Sequence, residues 1–359
     1  MSTLGPTKAE DPTHLAPRLQ TSLFIERVIC PDNSQQTIDK TPQYLLRESS
    51  PTNADLPRPV AKPALTPEAP VEQSSQVHKQ HAFTMDKPFT TLQKESRKAF
   101  KYFHCSRGLQ ENKATNLKHT FLSSYSPVKP VLQNGPICGF VALAMAAQLT
   151  HVKSVTTEEI FLEAKHKGFS KQGEMFSAQS MQEMASIFLA CKVEHVHQTQ
   201  EKLTWKYLVQ HLMKGSLLLV PYDADRNHSP CQKKGHKAHW ALITGFFAAF
   251  KSSEVPEWLT SECERDEEMS ALYFWPEGVK EDRCEELTSV LSPDDLFVFG
   301  HHGKSKYPGV WSFQDLLVSN GNLVEAGPVR NSEDYVLPAE GLERALKSQL
   351  ILLHKNIVQ

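Results

Sequence analysis

No two of the seven cysteines (Cys30, Cys105, Cys138, Cys191, Cys231, Cys263 and Cys284) form a CxxC pair, and their number is odd. A disulfide framework is therefore not expected, and free thiols point to a reducing compartment. Charge of one sign is also lacking: the formal net charge is -2, which leaves no global pull toward nucleic acid or an anionic membrane. Long apolar runs are missing too. The longest, from Trp240 to Phe250, falls far short of the roughly 20 residues a membrane helix needs. The opening MSTLGPTKAEDPTHLAP has acids and prolines where a secretory signal needs an apolar core. These absences predict a cytoplasmic protein with no nucleic-acid partner and no membrane partner. No internal repeat is evident.

What is present divides in two. About half of the 23 prolines fall in residues 1–88, among Ser, Thr and Gln. Stretches such as SSPTNADLPRPVAKPALTPEAP cannot bury enough apolar area to offset the entropy of ordering, so residues 1–88 are expected to be a disordered tail. Within it SLFIERVIC is a short apolar patch, and no run of consecutive prolines occurs.

Residues 89–355 read as one folded domain. QKESRKAFKYFH has helical spacing, and a loop is expected from there to SPVKPVLQNGP. CGFVALAMAAQL reads as a buried helix, and TTEEIFLEAKHKGF and SAQSMQEMASIFLA as two further helices. In the last of these Met181, Met184, Ile187 and Phe188 form a packing stripe. VEHVHQT then reads as a strand and EKLTWKYLVQHLMKG as a helix ending at Gly215. SLLLVPYD and AHWALITGFFAAF read as strands, LFVFG as another and WSFQDLLVSN as a helix. The segment from about 252 to 295, with EWLTSECERDEE, is expected to be an acidic solvated insertion. Helices first and strands later imply an α+β fold.

Chemistry concentrates at Gln133-Asn134-Gly135-Pro136-Ile137-Cys138-Gly139. A Gly-Pro turn starts the buried helix, so Cys138 lies in its first turn, where the partial positive charge favours a thiolate and the free N–H groups can hold an oxyanion. Gly139 is expected to let a substrate backbone approach. Gln133, five residues before the cysteine, can add a side-chain oxyanion donor. About a hundred residues on, His239 in KAHWALITGF opens an apolar strand, where an imidazole can take the thiol proton and later protonate a leaving amine. His236 is a rival in the preceding polar loop. That loop, CQKKGHKAH, also places Lys233, Lys234 and Lys237 as candidates for binding an acidic substrate.

The pairing of LQNGPICGFVALAMA with HWALITGF resembles the papain-like cysteine peptidases of the bacteriocin-processing type, and more closely the actin maturation protease family. GKSKYPGVWSFQDLLVSNGNL is similar to that family as well. The resemblance covers roughly residues 120–350. It implies a papain-like fold, with an N-terminal helical part on an antiparallel sheet. The implied activity is a cysteine aminopeptidase that removes the N-acetylated first residue, Met or Cys, from actin and exposes its acidic mature start. The resemblance implies no metal or organic cofactor. A site for a capped residue calls for an apolar pocket and no carboxylate to pair with a free amine. Members carry a proline-rich N-terminal segment taken to engage profilin, whereas here the prolines are scattered. Papain-like sites usually orient the histidine with Asn or Asp after the following strand, but LFVF ends in Gly300-His301-His302-Gly303. His301, His302 or a backbone carbonyl can take that place if LFVF pairs antiparallel with AHWALITG. Asp315, Asn320 and Asn322 are weaker candidates.

Other classes remain open at the sequence level. His228-x2-Cys231-x4-His236-x2-His239 offers four zinc ligands in one loop. An inactive actin-binding scaffold, or another cysteine hydrolase such as a deubiquitinase, would share the same Cys–His pair.

Overall fold

The computed structural model describes residues 88–107, 118–150, 154–200, 203–276, 278, 280–328 and 330–355. All of them fall in the unit Val71–Gln359. The expected tail, apart from Pro88, lies outside the described residues, as do Cys30 and the SLFIERVIC patch.

In chain order the elements are α1 (Pro88–Ser106), β1 (His119–Tyr125), α2 (Cys138–Leu149), α3 (Thr157–His166), α4 (Ala178–Phe188), β2 (Val193–His197), α5 (Trp205–Met213), β3 (Leu217–Asp223) and β4 (Ala238–Lys251). There follow α6 (Glu257–Glu262), β5 (Glu264–Arg265), β6 (Leu272–Phe274), α7 (Glu281–Val290), β7 (Leu296–His301), β8 (Gly309–Ser312), α8 (Phe313–Asn320), α9 (Gly341–Ala345) and β9 (Gln349–Leu353). The strands form one sheet in the order β2-β9-β3-β4-β1-β6-β5, with β7 and β8 branching from β4. Only β1 and β6 run parallel; the other pairs are antiparallel. The expected α+β class, with a helical part packed on an antiparallel sheet, is present.

Local chemistry explains the helix ends. Thr156 and Glu159 close a reciprocal capping box on α3, and Ser177 and Thr204 cap α4 and α5. Gly215, at φ 75°, turns the chain out of α5, a conformation that costs glycine little. α2 is apolar on every side because ten of its residues are buried. β3 is buried along its whole length, and its alternate residues serve two cores. Leu218 and Val220 pack with α5, α7 and α8, whereas Leu217 and Leu219 face α2 and α4.

Three expectations are corrected. The stretch HTFLSSY, read as loop, is β1 and pairs with β4 from His119↔Lys251 to Tyr125↔Gly245. Its Thr and Ser residues hide the strand, yet Ser123 is fully buried and bonded to Ser96. Ile187 leaves the packing stripe of α4 and is 47% exposed. The acidic segment is built into the fold: Trp258, Leu259, Cys263, Trp275, Cys284, Leu287 and Leu291 join the core beside α5. The Trp275 indole N–H donates to the Met213 carbonyl at 2.8 Å, and that of Trp258 to Glu286 at 2.7 Å. Its acids occupy the outer side, where Arg283 bridges Glu262 and Glu286.

Leu259 has no exposed surface, so Leu259→Ala is expected to lower stability by about 2–5 kcal/mol in urea unfolding. A loss below about 0.5 kcal/mol, typical of surface sites, would show that this segment is peripheral.

Candidate active site

The site begins at a helix start with nothing to cap it. Gly135, at φ 80°, and Pro136 bend the chain, and Ile137 is the N-cap of α2 with no side-chain acceptor to offer. Pro136 therefore lies ahead of the cap rather than inside the first turn. Cys138 is the first helical residue and is 9% exposed. Backbone N–H groups of Trp240, Gly139 and Cys138 itself favour its thiolate electrostatically. The first N–H groups of a helix have no intrahelical acceptor, so here they are free for a sulfur or an oxyanion. Gly139 has a different task from the one expected. A Cβ there would come within 2.9 Å of Met181 Cε, 3.1 Å of Met175 Cβ and 3.3 Å of Trp240 Cδ1. Its missing side chain lets α2 pack against Met181, Met175 and Trp240.

His239 lies at the second position of β4, paired with Tyr222 of β3. Its Nδ1 is 2.9 Å from the Lys237 carbonyl. A carbonyl only accepts, so Nδ1 carries the proton and Nε2 is left as the base. Of the orienting groups considered, the backbone carbonyl is the one bonded to the ring. The strand pairing behind the histidine candidates does form, with Leu242 opposite His301. His301 nevertheless turns away and bonds the Tyr125 hydroxyl at 3.0 Å, buried where its pKa falls to about 3. His302 stacks on Trp311, and its ring centroid is 5.4 Å from that of His228, which stands 5.4 Å from His239. It is a neighbour of the site, one ring removed from His239. The Asp315 N–H donates to the hydroxyl of Ser312, which caps α8, Asn320 holds the Pro221 and Gln349 carbonyls, and Asn322 accepts from the Lys234 N–H.

Asp223 was not foreseen. This carboxylate is fully buried at the end of β3 and accepts backbone N–H bonds from Lys233, Gly235 and Lys237, the latter two at 3.0 and 3.2 Å. Its own carbonyl takes the Cys231 N–H at 2.8 Å and the Ser319 hydroxyl at 3.0 Å. Asp223 thus shapes the loop whose last carbonyl orients His239. The signal available in sequence was an acid ending the apolar run SLLLVPYD, where an uncompensated charge would be costly.

Cys138 and His239 line one cavity of about 120 Å³, together with Gln133, Pro136, Glu174, Met175, Phe176, Trp240, Arg330, Tyr335 and Leu346 among others. Drug-sized ligands occupy clefts of roughly 300–1,000 Å³, so this one is narrow. Gln133 is fixed there: its N–H donates to Gly303 at 2.8 Å and its amide donates to Gly135 at 2.8 Å. Lys233, Lys234 and Lys237 are exposed, and none is among the residues lining the cavity. Lys234 stands 3.7 Å from Glu325, which also takes His236 at 2.8 Å. The cation at the cavity is Arg330, which sequence reading passed over because it stands alone in an unpatterned loop. With His236 engaged by Glu325, the four-ligand zinc arrangement is not assembled. Among the described residues no cluster of His, Cys, Asp and Glu is placed to hold a metal. A larger cavity of about 1120 Å³, between α1, β6 and the end of β9, contains neither Cys138 nor His239.

Electrostatics set the resting state. Burial raises the Cys138 thiol above its ordinary value of 9.0, outweighing the stabilisation from Trp240 N–H, Arg330 and the helix N–H groups. Burial likewise lowers His239 below 6.5, against the raising effect of the Lys237 carbonyl. Both shifts favour a neutral thiol beside a neutral imidazole.

Residues 128–247, which contain Cys138, His239 and Asp223, match the family model of the actin maturation protease-like C-terminal domain. The actin maturation protease of Danio rerio is 33% identical over 68% of this chain and 77% of its own. The chain belongs to the actin maturation protease family. The family's Mus musculus protein is 37% identical over 62% of this chain and 61% of its own, and the Homo sapiens protein 34% over 62% and 63%. This chain therefore spans less than two thirds of either mammalian member. A solved C39-like peptidase from Bacillus anthracis overlaps 64% of this chain and 94% of its own at 12% identity, with a TM-score of only 0.31.

Because the thiolate is the reactive form, a raised thiol pKa means alkylation of Cys138 by iodoacetamide should keep rising with pH from 7 to 9. Peptide mapping of the labelled protein at each pH measures this. A plateau beginning below pH 7 would mean a preformed thiolate–imidazolium pair.

Proposed function

We propose that this chain is a cysteine aminopeptidase that removes the N-acetylated first residue, Met or Cys, from actin in the cytoplasm. The observation that carries this reading is a cysteine at an uncapped helix start sharing one small cavity with a histidine whose Nε2 is the free base. Membership in a family of proteases that its relatives' names associate with actin supports the substrate.

In the proposed cycle His239 Nε2 takes the proton from Cys138 Sγ as the sulfur attacks the carbonyl of the acylated first residue. The developing oxyanion is received by the free N–H groups at the start of α2 and by the Gln133 amide, donors fixed in place before charge develops. His239 then protonates the departing amine, and water attacks the thioester to release the acylated amino acid and the thiol. The chemistry needs no metal.

A capped terminus is favoured by the state of the acid lining the cavity. Glu174 is 2% exposed, and both its oxygens are engaged: Oε1 by the Lys171 and Val336 N–H groups, Oε2 by the Gln172 N–H and the Ser170 hydroxyl. It has little capacity left for a free ammonium. Met175, Phe176, Trp240, Tyr335 and Leu346 provide apolar walls for the side chain of the first residue. Profilin recruitment would depend on the proline-bearing region outside the described residues. Among those described, no helix is long and apolar enough to cross a membrane.

Incubated with immature actin, the full chain should lower the substrate's mass by one acetylated residue, and Cys138→Ala should leave it unchanged; intact mass spectrometry reads the result. Equal masses with both proteins would remove this reading. Asp223→Asn weakens a three-bond acceptor that positions His239, so kcat should fall roughly tenfold or more with KM little changed. If Asp223 only stabilises the fold, the melting temperature would drop while kcat of the folded fraction stayed at the wild-type value.

A further inference from the structure

The family reading explains the nucleophile and the base but leaves one strong charge in the cavity without a task. Arg330 lines the same cavity as Cys138 and His239. Its guanidinium lies 4.8 Å from the centroid of the Phe176 ring, against the apolar wall. Nη1 is shielded from solvent and has no hydrogen-bond partner among the described residues. Two acids near it are already used. Glu174, in the same cavity, is surrounded by N–H donors, and Asp223 holds the loop before His239. An Arg nitrogen buried without an acceptor is unfavourable, and the group that best relieves it is a carboxylate bound by paired N–H donors.

We propose that Arg330 is the receptor for a side-chain carboxylate in the first residues following the scissile bond, which makes the site selective for chains with an acidic start. The proposal rests on the reading of this cavity as a peptidase site. It replaces Lys233, Lys234 and Lys237 as the short-range source of acid preference. Those side chains are exposed and lie off the cavity, where salt screens them, whereas the guanidinium is within it. An acidic residue bound there meets a donor already desolvated and held over a ring. The amide of Asn or Gln, without a charge, gains much less from the same contact.

Arg330 also faces the Cys138 sulfur electrostatically, so the test must separate substrate recognition from an effect on the nucleophile. Two N-acetyl-methionyl peptides serve, one continuing Asp-Glu-Asp and the other Asn-Gln-Asn. With the full chain, kcat/KM should favour the acidic peptide by roughly tenfold or more. In Arg330→Gln that ratio should fall to about one, with Arg330→Lys between the two. If Arg330→Gln slows both peptides equally and keeps the ratio, the residue acts on the thiol and the proposal is overturned. If the wild-type chain cleaves neither peptide, the peptidase reading fails by itself, and calorimetric binding to Cys138→Ala decides the carboxylate site. Tighter binding of the acidic peptide, lost on adding Arg330→Gln, upholds it; equal binding of the two peptides overturns it.

Discussion

The site depends on how closely one helix start can lie against one strand. α2 opens without a capping side chain and is pressed onto β4 at Gly139, where only hydrogen fits between the helix and Met181, Met175 and Trp240. That contact sets Cys138 and the start of β4 around one cavity, so Trp240 and the residue before it, His239, line it with the cysteine. Free N–H groups at a helix end are ordinarily satisfied by a cap or by water. Here Ile137 supplies no oxygen, so their bonding capacity is left for the sulfur and, in the proposed reaction, for the oxyanion. The Trp240 indole N–H, donated to the Met175 carbonyl at 2.8 Å, ties the strand to the segment leading into α4.

Close packing also decides an electrostatic contest. The helix start and Arg330 both favour a thiolate, yet desolvation of a nearly enclosed sulfur is larger and its direction wins. His239 is subject to the same penalty from the opposite side, since its charged form is the imidazolium. In the proposed reaction, a neutral pair at rest has proton transfer accompany attack instead of preceding it. The N–H groups then serve the oxyanion more than the resting sulfur.

Much of this was legible in the residues. CGFVALAMAAQL could only be a buried helix, and its start fell at Cys138 because Gly135 and Pro136 end the preceding extended chain. SLLLVPYD and AHWALITGFFAAF announced themselves as interior strands, and their pairing places Tyr222 opposite His239. What stayed hidden has common physical causes. β1 reads HTFLSSY, and its small hydroxyl residues look like loop until the antiparallel partner that buries them is known. The segment after β4 is acidic in composition, yet Trp258, Leu259 and Trp275 occur at intervals too irregular for a periodic signal. In both cases tertiary partners, not local preference, decide the structure. The role of Gly139 was misjudged for a related reason: freedom of approach is a property of any glycine, and only coordinates show which neighbour has used it.

The orienting group was hidden for a deeper reason. A search for an Asn or Asp that touches the histidine presumes that a side chain does the orienting. In this chain the bond is made by the carbonyl of Lys237, and any residue carries a carbonyl. The specific chemistry has moved back one step, to Asp223, which fixes that carbonyl by collecting the N–H groups of Lys233, Gly235 and Lys237. A carboxylate completely removed from water is tolerable only if its lone pairs are filled, and the left-handed residues Lys234 and Gly235 curl the loop tightly enough to fill them. The requirement runs both ways: the buried charge needs the loop, and the loop holds its shape only around the charge. The histidine is thereby oriented by a backbone that a distant acid has folded. Arg330 has no such internal solution among the described residues. The contrast between a buried anion fully satisfied by the fold and a nearby cation that is not is the one on which the proposed carboxylate site rests.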